Sequence, residues 1–298
     1  MKITKTQFDI LAYLEKEPDQ KNFTQRNLAR LTSLSLGTVN KALLYLTEIG
    51  LIKKNTLTKE GLKALEPFRV KRAIFLAAGF GSRLVPITLN TPKPLVRVKG
   101  VRIIDTLLDA VIAAGIEEII IIRGYLGEQF DQLKYKYPKI KFLENPIYNE
   151  SNNISSTMVV RYMLQNSYVM DSDLLLSTPG LVTKYQYTSN ILGVPVERTD
   201  DWFLETRNGF ISRVGVGGHN CYQMYGISYW NASDGAKLAE HIKKVYEMPG
   251  GKERYWEQVP FEYFVKEYSV EVRECTFKDI TEIDTFNELK SLDDTYKI

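Results

Sequence analysis

Gly79, Gly81, Arg83 and Lys93 stand close together in Leu76-Ala-Ala-Gly-Phe-Gly-Ser-Arg-Leu-Val-Pro-Ile-Thr88 and the following Thr91-Pro-Lys-Pro-Leu-Val96. Two glycines let a backbone turn sharply enough to aim its N–H groups at one centre, and two cations beside them suit that centre to a polyanion. Triphosphate chemistry is the expectation. The spacing is neither G-x-G-x-x-G nor G-x-x-x-x-G-K-[ST], so a dinucleotide fold and a P-loop ATPase gain little support. Asp171 and Asp173 end the apolar run Tyr168-Val-Met-Asp-Ser-Asp173 at positions i and i+2, which share a face of an extended chain. Asp173, opposite a triphosphate loop, could hold Mg²⁺ between protein and phosphate oxygens, with a second carboxylate from Glu257 or Asp284.

The ordered set L-A-A-G-x-G-S-R-L-x-P-x-T followed by P-K-P-L resembles the signature of the nucleotidyltransferases that make sugar nucleotides and related activated alcohols. The resemblance implies that Gly79, Gly81, Ser82 and Arg83 hold the triphosphate of an NTP. It gives Lys93 the task of neutralising charge at the reacting centre and Asp173 that of binding metal, so Arg83, Lys93 and Asp173 are the expected catalytic groups. Further segments are similar to bacterial CTP:phosphocholine cytidylyltransferases, among them Ile119 to Phe130, Asn149-Glu-Ser-Asn-Asn-Ile-Ser-Ser156, Asp201-Trp-Phe-Leu204, Tyr255-Trp-Glu257 and Glu282-Ile-Asp284. That narrower resemblance implies CTP and phosphocholine as substrates and Mg²⁺ as cofactor. It places Leu76, Ala77, Ala78, Gly124, Asn152 and Asn153 at the nucleotide.

A trimethylammonium group offers no N–H, so aromatic faces and nearby negative charge must recognise it. Trp202, Tyr255 and Trp256 are the expected cage, beside Asp200, Asp201 and Glu257. Glu257 departs from the family's Y-W-D. A sugar 1-phosphate or another phosphoalcohol as acceptor, and a regulator that senses CTP or CDP-choline without turnover, are the competing readings.

The elements that must position these groups follow from periodicity. Apolar runs at Ala73 to Ala77, Glu118 to Arg123, Ile140 to Glu144, Ser167 to Asp171, Ile191 to Val196 and Tyr225 to Trp230 read as strands. Ile103 to Ala114 and Leu126 to Lys136 have the spacing of crossover helices. An α/β, Rossmann-like nucleotidyltransferase domain with a mostly parallel mixed sheet is expected over 70–298, and its glycine loop follows the first strand as ligand sites in such sheets do. Residues 1–69 read as helices at Thr6 to Leu14, Thr24 to Leu31 and Leu36 to Glu48, a wing at Leu51 to Thr58 and a last helix ending at Leu65. This resembles a winged helix-turn-helix, whose recognition helix would present Thr38, Asn40 and Lys41 to DNA, with Lys53 and Lys54 on the wing. Protein contact or dimerisation is the other use of such a module, which leaves a homodimer open.

Residues 1–70 carry twelve basic and seven acidic side chains, so the chain's net +3 conceals a basic first part and a slightly acidic remainder. The basic part is the better candidate for a polyanionic partner. A hydrophobic share of 44% in 298 residues supports a large core, and no apolar run reaches about 18 residues, so no membrane partner is expected. The N-terminal stretch lacks an apolar signal-peptide region, and a cytoplasmic location is the expectation. Cys221 and Cys275 form no C-x-x-C, and His219 and His241 are far apart, so no zinc site is suggested.

Overall fold

The computed structural model describes residues 2–16 and 24–297. It divides into two compact units, Met1–Arg69 with Tyr185–Tyr187, and Val70–Lys184 with Thr188–Ile298. In the first, helices run over Lys5–Lys16, Gln25–Thr32 and Leu36–Glu48. Thr24 and Ser35 cap the second and third by accepting from Asn27 and Thr38 backbone N–H groups. The wing is a hairpin of Ile52–Lys53 and Thr56–Leu57. Its two turn residues, Lys54 and Asn55, have φ of 49° and 61°, which a tight hairpin turn of this hand requires. Thr58 then caps the helix Lys59–Leu65.

Ile10, Leu11, Leu28, Val39, Leu46 and Leu65 fill the centre of this unit with essentially no exposure. Tyr185–Tyr187, distant in sequence, completes it. The Phe8, Phe68 and Tyr187 rings lie 5.1–5.3 Å apart, and the Gln186 N–H donates to the Phe68 carbonyl.

The second unit is built on a seven-stranded mixed sheet in the order Asn190–Arg207, Glu271–Glu274, Phe210–Trp230, Ser167–Asp171, Arg72–Ala77, Glu118–Arg123, Lys141–Glu144. The last four are mutually parallel, and Phe210–Trp230 runs antiparallel to Ser167–Asp171. Strand alternation divides the apolar residues between two cores. Ala73, Phe75, Ile119, Ile121 and Met170 face the layer containing the helix Ile103–Ala113, whereas Ile74, Ile120, Ile122 and Val169 face the one containing Ile154–Val160 and Ala232–Tyr246.

Three expectations need correction. Gly127–Tyr135 is a 3₁₀ helix, not an α-helix: its buried residues Gly127, Phe130 and Leu133 recur every three positions, which matches three residues per turn. The runs at 191–196 and 225–230 are the ends of a hairpin far longer than expected, Asn190–Arg207 with Phe210–Trp230, closed by Asn208 and Gly209 at φ 54° and 83°. Trp256 is a core residue. Its indole is 2% exposed and meets Trp230 edge to face at 5.9 Å and 72°.

Burial of this kind is testable. Trp256→Ala should lower the unfolding free energy by about 3–5 kcal/mol in a denaturant titration. An unchanged midpoint would place the indole outside the core.

Candidate active site

The site lies at the carboxyl ends of the parallel strands. After Arg72–Ala77, an inner strand of the parallel set, the chain turns through Gly79 and Gly81 into a 3₁₀ turn at Ser82–Leu84. Gly81 has φ +62°, and a Cβ there would stand 2.9 Å from Lys93 Cβ and 3.1 Å from Thr88 Cγ2. Glycine is therefore required both by conformation and by the closeness of Lys93. Thr88 Oγ1 closes the loop by donating to the Gly81 carbonyl at 2.8 Å.

Lys93 leads a second 3₁₀ turn, Lys93–Leu95, and its side chain is nearly buried. Its Nζ donates to Asp173 Oδ2 at 2.7 Å and to Asp284 Oδ1 at 3.0 Å. The exposed Arg83 forks onto the same Asp284, with Nη1 2.9 Å from Oδ2 and Nη2 2.8 Å from Oδ1. Burial works against the Lys93 charge, but Asp173 and then Asp284 outweigh it and hold its pKa above the ordinary value.

Two short antiparallel strands, Leu174–Leu176 and Ile280–Glu282, bring these distant residues together by pairing Leu174 with Glu282. Asp284 is then fixed by its own N–H donating to Glu288 Oε2 at 2.7 Å, beside the capping box of Thr285 and Glu288 that starts the helix Phe286–Leu292. Asp173, Glu282 and Asp284 each bring a carboxylate oxygen within 4.8 Å of the others. Asp173 Oδ1 is buried without a hydrogen-bond partner. Burial, then Asp173 and Asp284, push the Glu282 carboxyl up to about 9. Crowded carboxylates with an unsatisfied oxygen and a proton held against repulsion fit a divalent cation, and all three donors are hard oxygens. The sequence reading had not chosen Glu282.

Glu257 does not join this group, which corrects its expected metal role. It lies buried beside Asn153, where burial pushes it up to about 7 against hydrogen bonding that includes Asn153 Nδ2 at 3.4 Å. Its carboxylate is instead one of the charges that act on Asp171, whose own carboxyl is raised well above the usual range, first by burial and then by Glu257. The strand stops at Asp171, with Ser172 and Asp173 in the bend after it. Asp171 fits only because position 226 lacks a side chain: a Cβ on Gly226 would overlap its Oδ2.

All these groups line one cleft of about 820 Å³. Leu76, Ala77, Ala78, Gly79, Gly81, Ser82, Arg83 and Lys93 border it, as do Asn152, Asn153, Asp201, Trp202 and Tyr255. Trp202 and Tyr255 meet edge to face at 5.3 Å, with the Trp202 N–H donating to Asp201 Oδ1 at 2.7 Å. Trp256 is absent from the lining because its ring points into the core, so the expected three-ring cage reduces to two. Gly124 is also absent. The Tyr148 ring covers it, leaving only 2.7 Å between Tyr148 Cγ and a Cβ placed there, and it is Tyr148 that faces the cleft. Asn152 and Asn153 act as brackets as much as lining. Asn152 Nδ2 donates to the Glu253 carbonyl, and Asn153 Oδ1 accepts from the Trp256 N–H at 2.8 Å, fixing the segment that carries Tyr255 and Glu257. Asn145, Tyr148, Ser155 and Ser156 also border the cleft, and the sequence singles out none of them.

Residues 72–179 match the family model for nucleotidyl transferases, and residues 3–53 match that for winged helix-turn-helix DNA-binding domains. A 2-aminoethylphosphonate cytidylyltransferase of Lancefieldella rimae is 34% identical over 228 residues, covering 75% of this chain and 92% of that protein. A choline-phosphate cytidylyltransferase of Streptococcus pneumoniae is 34% identical over 227 residues, covering 76% of this chain and 98% of that protein. The solved CTP:phosphocholine cytidylyltransferase of Streptococcus pneumoniae superposes with a TM-score of 0.71 at 35% identity, over 76% of this chain and 99% of that one.

The carboxylate cluster carries a pH-dependent prediction. A Glu282 carboxyl at about 9 is protonated at pH 7, and a cation bound there favours its ionised form, so affinity should climb as pH rises towards 9 and level off above it. Mn²⁺ titration followed by electron paramagnetic resonance should show this rise, by up to about tenfold per pH unit. Glu282→Gln should flatten it, and Asp173→Ala should abolish tight binding. A flat wild-type profile would contradict the assignment of the proton to Glu282.

Proposed function

We propose, because this chain belongs to the bacterial cytidylyltransferases of the nucleotidyl transferase superfamily, that it transfers the cytidylyl group of CTP to phosphocholine, giving CDP-choline and pyrophosphate. The observation that carries this reading is one cleft with cations and carboxylates at one place and, at another, the Trp202–Tyr255 ring pair beside Asp201. The acceptor's phosphate oxygen attacks the α-phosphorus in line. One P–O bond forms as the bond to the bridging oxygen breaks, and pyrophosphate leaves with that electron pair. No covalent enzyme intermediate is required, because stabilising charge on the phosphoryl oxygens is the main task.

Arg83 and Lys93 offset charge on the triphosphate, with the backbone of Gly79, Gly81 and Ser82 cradling it. Asp173, Glu282 and Asp284 would hold Mg²⁺. That ion, when bound, neutralises phosphate oxygens and polarises the α-phosphorus. Trp202 and Tyr255 receive the acceptor's ammonium head on their ring faces, and Asp201 supplies the counter-charge. Residues 1–69, completed by Tyr185–Tyr187, are assigned to the winged module and the rest of 70–298 to the transferase.

A second acceptor is favoured by a specific observation. With Trp256 in the core, two rings remain, while the half-buried carboxylate of Asp171 and the buried one of Glu257 border the same cleft. A primary ammonium, as in 2-aminoethylphosphonate, can donate hydrogen bonds to such carboxylates, whereas a trimethylammonium cannot. Pyrophosphate release with CTP and either phosphocholine, phosphoethanolamine, 2-aminoethylphosphonate or a hexose 1-phosphate separates these readings. Phosphocholine should give the highest kcat/KM, and Trp202→Leu should lower it about 2- to 30-fold, the worth of one cation–π contact, with CTP affinity nearly kept. Preference for 2-aminoethylphosphonate would select the second acceptor, and preference for the hexose phosphate would reject both.

For the winged module, DNA is the proposed partner. Thr38, Asn40 and Lys41 lie exposed on helix Leu36–Glu48, and Lys53 and Lys54 are exposed at the wing. Duplex binding should weaken steeply with salt, and K53A/K54A together should reduce both affinity and salt slope. Absence of binding at low salt would leave the module without this role.

A further inference from the structure

The carboxylates of the cluster are not equally engaged by the cations beside them. Asp173 keeps one oxygen, Oδ1, without a hydrogen bond, whereas both oxygens of Asp284 are taken. Asp284 Oδ2 accepts from Arg83 Nη1 at 2.9 Å, and its Oδ1 lies 2.8 Å from Arg83 Nη2 and 3.0 Å from Lys93 Nζ. A guanidinium laid across both oxygens of a carboxylate occupies the directions from which another cation would approach it. The same fork offsets the charge of Arg83 and makes it less available to an anion.

One member of this set can leave at little cost. Lys93 is nearly buried between its two acids, and the Asp284 backbone is held by Glu288 Oε2. The Arg83 side chain, in contrast, is 66% exposed, so water replaces whatever partner it gives up. Its backbone has no such freedom. Leu84, next to Arg83, and Ile283, next to Asp284, are fully buried in one apolar cluster with Val96 and Leu289. The guanidinium can therefore swing through its own rotamers while the loop and the acid keep their places.

We propose that Arg83 and Asp284 mask one another, the fork lowering the affinity of the site for a divalent cation alone and for a triphosphate alone. Once released from Asp284, Arg83 is available to phosphate oxygens. Once released from Arg83, Asp284 has both oxygens available to a cation. The two ligands therefore bind with positive coupling, equal in both directions by linkage. This inference rests on the reading of the cleft as a site for a metal ion and a triphosphate.

The test uses each ligand by itself, because the mask makes loss of a residue that serves one ligand improve binding of the other. In Mn²⁺ titrations without phosphate, followed by electron paramagnetic resonance, Arg83→Met should tighten binding about two- to fivefold, the worth of one exposed ion pair. Arg83→Lys keeps the charge and loses the fork, and it should also tighten Mn²⁺ binding. Simple repulsion between Arg83 and the metal ion would leave Arg83→Lys at the wild-type value. In calorimetry with inorganic tripolyphosphate and EDTA, Asp284→Asn should tighten binding by a similar factor, and Arg83→Met should weaken it. Mn²⁺ binding in Arg83→Met no tighter than in the wild type, a gain there that Arg83→Lys lacks, or tripolyphosphate binding in Asp284→Asn no tighter than in the wild type would each overturn the proposal. A wild-type protein that binds neither Mn²⁺ nor tripolyphosphate would instead overturn the reading of the cleft itself, and the inference with it.

Discussion

Lys93, held between Asp173 and Asp284, is the interaction on which the catalytic unit is organised. An ammonium so far from water would be untenable alone, and carboxylates so close would repel one another without it. Each requirement answers the other, and the surrounding structure exists to make them coincide. Gly81 gives up a side chain so that the lysine can pass, and a pair of three-residue strands, joined through Leu174 and Glu282, delivers the acids from opposite parts of the chain. The Thr285 capping box then prevents Asp284 from turning away. In the proposed function, an arriving triphosphate would compete for the same cations and an arriving metal ion for the same acids. Ligand binding is in this sense an exchange of partners, in a place already paid for by folding.

The segment Tyr255–Glu257 is organised by alternation. Tyr255 and Glu257 border the cleft while the indole of Trp256 between them enters the core, because Asn153 grips the backbone of Trp256 and Trp230 receives its ring. The aromatic residue that best fits a cage on paper is thereby spent on stability. What remains at the cleft there is a pair of rings and several acids, two of them carrying raised pKa values: Asp171 and Glu257. Their partial neutralisation lets acidic groups share a small volume, and a cationic acceptor would restore their charge.

The winged module obeys the same economy on a smaller scale. Its helices and wing are specified locally, by capping threonines and a serine, by a glycine at φ 76° after the third helix and by a two-residue turn. Its core is not closed locally, since Phe8 and Phe68 stack with Tyr187. None of its described helices, nor any other described helix, is long and apolar enough to cross a membrane.

Local chemistry was legible in the sequence wherever a residue's role depends on its neighbours along the chain. The glycine loop, its arginine and lysine, the four parallel strands and the helices of the winged module all belong to this class, since dihedral preference, alternation and apolar periodicity act over a few residues. The tertiary structure decided what depends on meetings at long range. Glu282 entered the carboxylate cluster and Glu257 left it because strand pairing, not spacing, sets distances between residues 173 and 282. Trp256 went to the core because burial against Trp230 outweighs any use it had in the cleft, and Asn145 took its place only when the last parallel strand set it beside the start of helix Ile154–Val160. Sequence determines which side chains can do chemistry; the free energy of packing the sheet decides which of them can reach one another.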